Sequence, residues 1–257
     1  MTAMPGTGTV AVVGLGEVGR PLVELLSQRY KVVGVDVAPV DKDLKRVDVM
    51  HVCYPFQIHD FIGETVRYIE RLDPTLTIIN STVAVGTTRV VAERTGVPVV
   101  HSPVRGKHAR MLEEMRHYTK FVGALDPTSG KQACEHFEAI GVRTRVLASP
   151  EASELAKLAE TTYFGLMIAW AQEVERYCDN LGLDYDEVTS LYDEVKFFPP
   201  VKYFSGIIGG HCVMPNIEIL SRAGRSEILE AIRRSNCKKV AREAQRRQPE
   251  TPRASSA

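Results

Sequence analysis

Thr9-Val10-Ala11-Val12-Val13-Gly14-Leu15-Gly16-Glu17-Val18-Gly19 is the stretch that decides the fold. Its first five residues are small or β-branched and apolar, the composition of a strand buried on both faces. Three glycines then follow in the spacing G-x-G-x-x-G, ahead of an amphipathic pattern over residues 18–28. Each glycine has its own reason. Gly14 permits a tight turn, Gly16 lets the backbone approach a pyrophosphate, and Gly19 lets the helix lie against the strand. The peptide groups of Glu17 and Val18, at the helix mouth, join them in facing the phosphate charge.

The context agrees with this reading. A second valine-rich strand covers residues 31–36 and ends on Asp36, where a carboxylate accepts hydrogen bonds from the adenine ribose and repels a 2′-phosphate. The expected cofactor is therefore NAD. Tyr54 and Pro55, after a third strand at 48–53, and Ser81 and Thr82, after a fourth at 75–80, complete the expected cofactor-binding set. Further strands are expected at 98–101, 120–124 and 142–147, with helices at 57–72, 87–95 and 128–140 between them. This alternation predicts an α/β, Rossmann-like doubly wound sheet, largely parallel, with helices on both faces. The short polar segment 37–47 leaves room only for an abbreviated crossover.

From Ser149 the pattern becomes all-helical. A long helix runs from Pro150 to about Leu181, a second covers 184–195, a proline-bearing loop spans 197–210, and a last helix covers 226–246. The expected division is a dinucleotide-binding domain at 1–148, a helical domain at 149–247 and a disordered tail at 248–257. The stretch 163–170 is apolar on most sides, so that helix is expected to be covered by a core or by a second subunit.

The 257 residues are 44% hydrophobic and 25% charged, with a formal net charge of +0. No global field recruits nucleic acid or a membrane, so neither is an expected partner. The five cysteines are scattered, odd in number and without a C-x-x-C pair, which favours free thiols in a reducing compartment over a disulfide framework or metal site. With no signal peptide or long uncharged apolar run, the expected location is the cytoplasm. Cys53, Cys134, Cys178 and Cys237 fall on apolar patterns and read as inert core thiols. Cys212 is different, because it follows Gly209-Gly210-His211 at the mouth of a helical stretch. A helix N-terminus favours the thiolate, making Cys212 a candidate nucleophile. The basic residues of the last helix, Arg233 to Arg247, read as a solvated face.

Six segments together resemble the UDP-glucose/GDP-mannose dehydrogenase family. They are Gly14–Gly19, residues 80–88 (Asn80-Ser81-Thr82-Val83-Ala84-Val85-Gly86-Thr87-Thr88), Lys120-Phe121-Val122-Gly123, Glu154-Leu155-Ala156-Lys157-Leu158, Gln172-Glu173 and Gly209-Gly210-His211-Cys212. The resemblance implies NAD-dependent oxidation of a hydroxyl group, with a cysteine able to capture an aldehyde, and a homodimer formed through the long helix 151–181. It extends to about Cys237, where the family's second Rossmann-like domain begins. It assigns the catalytic positions to Cys212, Thr82, Asn216 and Gln172. It also sets Met167 and Val104 where the family carries a lysine and a carboxylate, which favours a single two-electron oxidation, or chemistry on bound NAD, over the family's four-electron reaction. An epimerase-like enzyme with tightly held NAD and a non-catalytic NAD-binding protein are the alternatives. Arg105, Lys107, Lys202 and His211 are the candidate contacts to a sugar-like or other small polar substrate.

Overall fold

The computed structural model describes residues 8–36, 46–106, 110–194, 205–209, 212–224 and 226–246. They form two compact units, residues 1–158 and 159–257.

The first unit is built on seven strands: β1 (Thr9–Val13), β2 (Lys31–Val35), β3 (Val49–Val52), β4 (Leu76–Ile79), β5 (Val99–His101), β6 (Lys120–Ala124) and β7 (Thr144–Leu147). Their order is β2-β1-β3-β4-β5-β6-β7. The first five are parallel, with Val10 set against Val32 on one side and Val49 on the other. β6 reverses the direction, pairing antiparallel to β5 through Val100–Ala124 and His101–Gly123, and β7 follows β6 in parallel. The sheet is thus mixed at one edge.

Alternation along each strand separates two cores. Val10, Val12, Ile78, Val100 and Val122 face α1 (Gly19–Leu26), α4 (Met111–His117) and α5 (Pro127–Glu138). Ala11, Val13, Val52, Ile79 and Val99 face α2 (Phe61–Leu72) and α3 (Thr87–Thr95). Helices therefore cover both faces, the doubly wound arrangement that the β/α alternation predicts. Because β2 and β3 flank β1 on opposite sides, the chain changes direction at the C-terminal end of β1. Sheets of this kind bind ligands at such a switch point.

Several boundaries differ from the sequence expectation. α2 starts at Phe61 rather than near residue 57, because the Asp60 side chain accepts a hydrogen bond from Gly63 N at 2.9 Å and caps the helix there. α4 was not foreseen. It is seven residues long, and only Met111 and Met115, one turn apart, mark its buried face. β7 begins at Thr144, since Val142 N is bonded to Phe137 O and closes the end of α5.

The second unit contains most of α6 (Pro150–Leu181), followed by α7 (Tyr185–Thr189), α8 (Leu191–Glu194), α9 (Val213–Leu220) and α10 (Glu227–Arg246). The single helix expected at 184–195 is broken at Ser190, whose backbone N–H and hydroxyl both turn back to Glu187 O. The core of this unit is Ile168, Ala169, Ile208, Val213, Ile217, Leu229 and Ile232. At Gly165 a Cβ atom would stand 2.7 Å from the Val213 side chain, so the glycine lets α9 approach α6 closely.

Two expectations about α10 are corrected. Its basic residues are not simply solvated, because Lys239 is buried and paired with Glu175 at 2.6 Å, and Arg242 pairs with Asp179. Cys237 is exposed rather than in the core, because it points outward while its neighbours Ser235 and Asn236 turn in. No described helix is long and apolar enough to cross a membrane.

Candidate dinucleotide site and the cysteine segment

The turn after β1 takes the shape that its glycines predict. Gly14 has φ +93°, and a Cβ there would lie 2.7 Å from Tyr54 N, so only glycine fits against the loop leaving β3. A Cβ on Gly19 would stand 1.8 Å from Gly14 O, which locks the first turn of α1 onto the glycine loop. A Cβ on Gly16 would meet nothing within 4 Å. That glycine guards open space, as it must if a pyrophosphate approaches the backbone there. Gly14 N donates to Val35 O at 2.8 Å, joining the loop to the end of β2, and the exposed Asp36 follows directly. Arg20 Nε donates to Leu15 O at 2.7 Å and holds the loop from the helix side. These residues fit a dinucleotide.

Two more loops leave the same edge of the sheet. Tyr54 lies against Phe61 and its hydroxyl meets Thr65 Oγ1 at 2.6 Å, with burial pushing the phenol up from its usual range. Ser81 Oγ donates to Tyr54 O at 2.6 Å, so the loops carrying Tyr54-Pro55 and Ser81-Thr82 are joined. Ser81 is buried, whereas Thr82 beside it is half-buried.

Behind Thr82, the buried carboxylate of Glu154 accepts hydrogen bonds from Gly86 N at 2.6 Å, Thr88 N at 2.9 Å and Thr88 Oγ1 at 2.6 Å. Burial raises its proton affinity and these bonds oppose the rise. Glu154 thereby caps α3 from another helix. α3 needs this because its own N-cap, Gly86 at φ +92°, has no side chain to do so. Nearby, His101 bonds Ser153 Oγ at 2.8 Å and Ser81 O at 3.1 Å, and burial pushes it down to about 3.

Arg105, a predicted substrate contact, lies over the Tyr118 ring at 5.2 Å and near Phe121 at 5.7 Å, which holds its guanidinium against aromatic faces at this edge. Lys107, Lys202 and His211 lie outside the described residues. The sequence reading gives no site role to Lys120, Glu154 or Lys157. The charge of Lys157 lowers the proton affinity of His101 and Lys120, so it stands close to both. A charged residue inside an otherwise apolar strand or helix face was the available signal.

In the second unit, half-buried Cys212 is the N-cap of α9. The segment leading to it is held by side-chain amides. Asn236 accepts from Ile208 N at 2.8 Å and donates to Ile208 O at 3.0 Å, and Gln172 Nε2 donates to Gly206 O at 2.7 Å. Ser235 completes the cluster by donating to Gln172 Oε1 at 2.9 Å. Gln172 thus serves the cysteine segment through its backbone. Asn216, one helical turn after Cys212, donates through Nδ2 to Thr161 Oγ1 at 3.2 Å.

A switch-point glycine loop, an acidic residue closing β2 and a helical unit with a capping cysteine define a Rossmann-type dinucleotide-binding protein. Residues 151–238 match the model of the UDP-glucose/GDP-mannose dehydrogenase family, central domain. It is 25% identical over 253 residues to the UDP-N-acetyl-D-mannosamine dehydrogenase of Methanocaldococcus jannaschii, covering 79% of this chain and 59% of that protein. The chain therefore spans less than two thirds of that relative's length. Among solved structures, a UDP-D-ManNAc dehydrogenase from Pyrococcus horikoshii superposes with TM-score 0.80 at 21% identity, over 92% of this chain and 70% of that one. The 3-hydroxyisobutyrate dehydrogenase of Mycobacterium tuberculosis shares the fold at TM-score 0.71 and 18% identity, over 93% and 94% of the two chains.

Proposed function

We propose that this protein oxidises a hydroxyl group of a sugar-like or other small polar substrate, with NAD as the acceptor, in a two-electron step. The observation that carries the reading is the glycine loop, in which Gly14 and Gly19 are required by contact and Gly16 by open space. NAD supplies the hydride acceptor when bound. Gly14 to Gly19 hold its pyrophosphate, Asp36 its adenine ribose, and Tyr54, Pro55, Ser81 and Thr82 its remaining length. The substrate carbon loses a hydride and its hydroxyl loses a proton, giving a carbonyl. The resemblance assigns catalytic positions to Cys212 and to Thr82. Asn216 and Gln172 take the remaining catalytic positions that the resemblance assigns, Gln172 also holding the cysteine segment through Gly206 O, and Arg105 binds an anionic group of the substrate.

The test is an absorbance assay for reduced cofactor with NAD and a panel of UDP-N-acetyl-D-mannosamine, other nucleotide sugars, sugar phosphates and 3-hydroxy acids. Reduced NAD with one class is the expected result, and Cys212→Ser should lower turnover while leaving NAD affinity unchanged. NAD binding without reduction by any class would leave a binding protein in place of a dehydrogenase.

The same reading includes a homodimer through α6. Supporting it, Trp170 and Tyr177 are 55% and 56% exposed on that helix. A cavity of 230 Å³ is lined by Trp170 together with Tyr163, Met167, Tyr185 and Tyr192. An aromatic surface of this kind is characteristic of an interface core. Light scattering should give a dimer for the native chain and a monomer for Trp170→Glu, and an unchanged mass for both would refute the assignment.

A further inference from the structure

Lys120 opens β6, the strand that runs opposite to its neighbour. Because Val100 faces Ala124 and His101 faces Gly123, Lys120 reaches past the C-terminal end of β5. It is only 7% exposed. Its Nζ donates to Asn80 Oδ1 at 3.0 Å and to Ser102 O at 2.6 Å, and stands 5.2 Å from the centre of the Phe137 ring. Both acceptors are neutral, and no carboxylate pairs with this ammonium among the described residues. A buried lysine without an acid is costly, so it calls for a reason.

The reason is visible in what it joins. Asn80 precedes Ser81-Thr82, and Ser102 precedes Pro103 and Arg105. The Asn80 backbone is itself tied to the second loop, since Val104 N donates to Asn80 O at 3.4 Å. Lys120 therefore staples together the ends of β4 and β5, the two strands whose loops carry the nicotinamide-side and substrate-side residues assigned above.

We infer that Lys120 is a positioning residue for the cofactor, whose ammonium holds the Ser81-Thr82 loop in its binding geometry and makes NAD affinity fall as that ammonium loses its proton. The inference rests on the NAD-binding reading. Hydrogen bonds from a charged donor are stronger than those from a neutral amine, so the staple loosens on deprotonation. The titratable groups around Lys120 are His51 of β3, Cys53 just after it, His101 of β5, His136 of α5 and Lys157 of α6. Burial keeps the three histidines neutral above the acid range, with His136 held down to about 4, and pushes the Cys53 thiol up to about 12. Lys120, pushed down to about 7 by burial, is left as the member of the cluster that changes charge near neutrality. Asn80 relays its state further, because Asn80 Nδ2 also meets His51 Nδ1 at 3.1 Å.

The experiment is NAD titration by calorimetry at pH 6 and pH 8.5 for the native chain, Lys120→Met and Asn80→Asp, with thermal melts of each. The native chain should bind NAD roughly 5- to 10-fold more tightly at pH 6, as expected when charge-assisted bonds are replaced by neutral ones. Lys120→Met, similar in length and uncharged, should fold, bind more weakly and lose the pH dependence. Asn80→Asp places a carboxylate beside the ammonium and should move the transition to higher pH. If Lys120→Met does not fold, Asn80→Asp decides, and an unmoved transition overturns the inference. A native-like pH profile in Lys120→Met overturns it as well, while leaving NAD binding intact. No NAD binding by the native chain at either pH overturns the functional reading, and this inference with it.

Discussion

At the residue scale, the glycines of the first loop separate stability from binding. Gly19→Ala forces a Cβ to within 1.8 Å of a backbone oxygen that has nowhere to go. It should cost about 3 kcal/mol or more of stability, as overpacking against backbone does. Gly16→Ala meets nothing within 4 Å and should melt like the native chain. Its methyl group nonetheless enters the space reserved for the pyrophosphate, so NAD affinity should fall at least about 10-fold, or about 1.4 kcal/mol. Unchanged affinity in Gly16→Ala would move the cofactor away from this loop. Both glycines are visible as letters, but only the contacts show that one is required by packing and that the other borders open space. The same holds for Gln172. The resemblance assigns it a catalytic position, and only the structure adds that its hydrogen bonds to Gly206 O and Ser235 hold the segment before Cys212.

At the scale of elements, the clearest case is the joint between α3 and the start of α6. Three hydrogen bonds converge on Glu154, and removing the carboxylate leaves two backbone N–H groups and a hydroxyl buried without acceptors. Glu154→Ala should cost about 3 kcal/mol, the order expected for stranded buried donors. Glu154→Gln retains one good acceptor and should cost about half as much. Denaturant unfolding measures both, and equal small losses would show that the clamp contributes little. Strong periodicity made β1, α3 and α6 readable almost to the residue. α4 and the break at Ser190 were not readable, because a seven-residue helix has barely two turns of pattern and a helix break made by a serine hydroxyl carries no glycine or proline to announce it.

At the scale of the whole molecule, buried bases set the pH response. His101 and His136, held at about 3 and about 4 against an ordinary 6.5, and His51, also held well down, stay neutral in the folded state. The unfolded chain binds more protons than the folded one below pH 6.5, so stability falls as the solution is acidified from there to about pH 3. Each histidine contributes up to about 1.4 kcal/mol per pH unit in that window. Lys120 has the same sign at higher pH. Its folded value of about 7 lies below the ordinary 10.5, so stability should rise between those two values. Thermal melts should therefore show an acid limb, a shoulder near neutrality and a second rise from about pH 7 to about pH 9, which Lys120→Met abolishes and which the raised Cys53 thiol opposes at higher pH. A flat alkaline limb in the native chain would contradict the burial of that ammonium. The sequence by itself determined the β/α alternation, the glycine loop, Asp36 and the change to an all-helical region, because these rest on local periodicity and backbone requirements that a few adjacent residues express. Only the tertiary structure decided that β6 runs antiparallel, that Glu154 caps a distant helix and that Lys120 joins two strand ends. Each depends on groups brought together across the fold, 66 to 68 residues apart for the Glu154 bonds and 40 for Lys120 and Asn80, where burial in a low-dielectric interior gives the contact its strength.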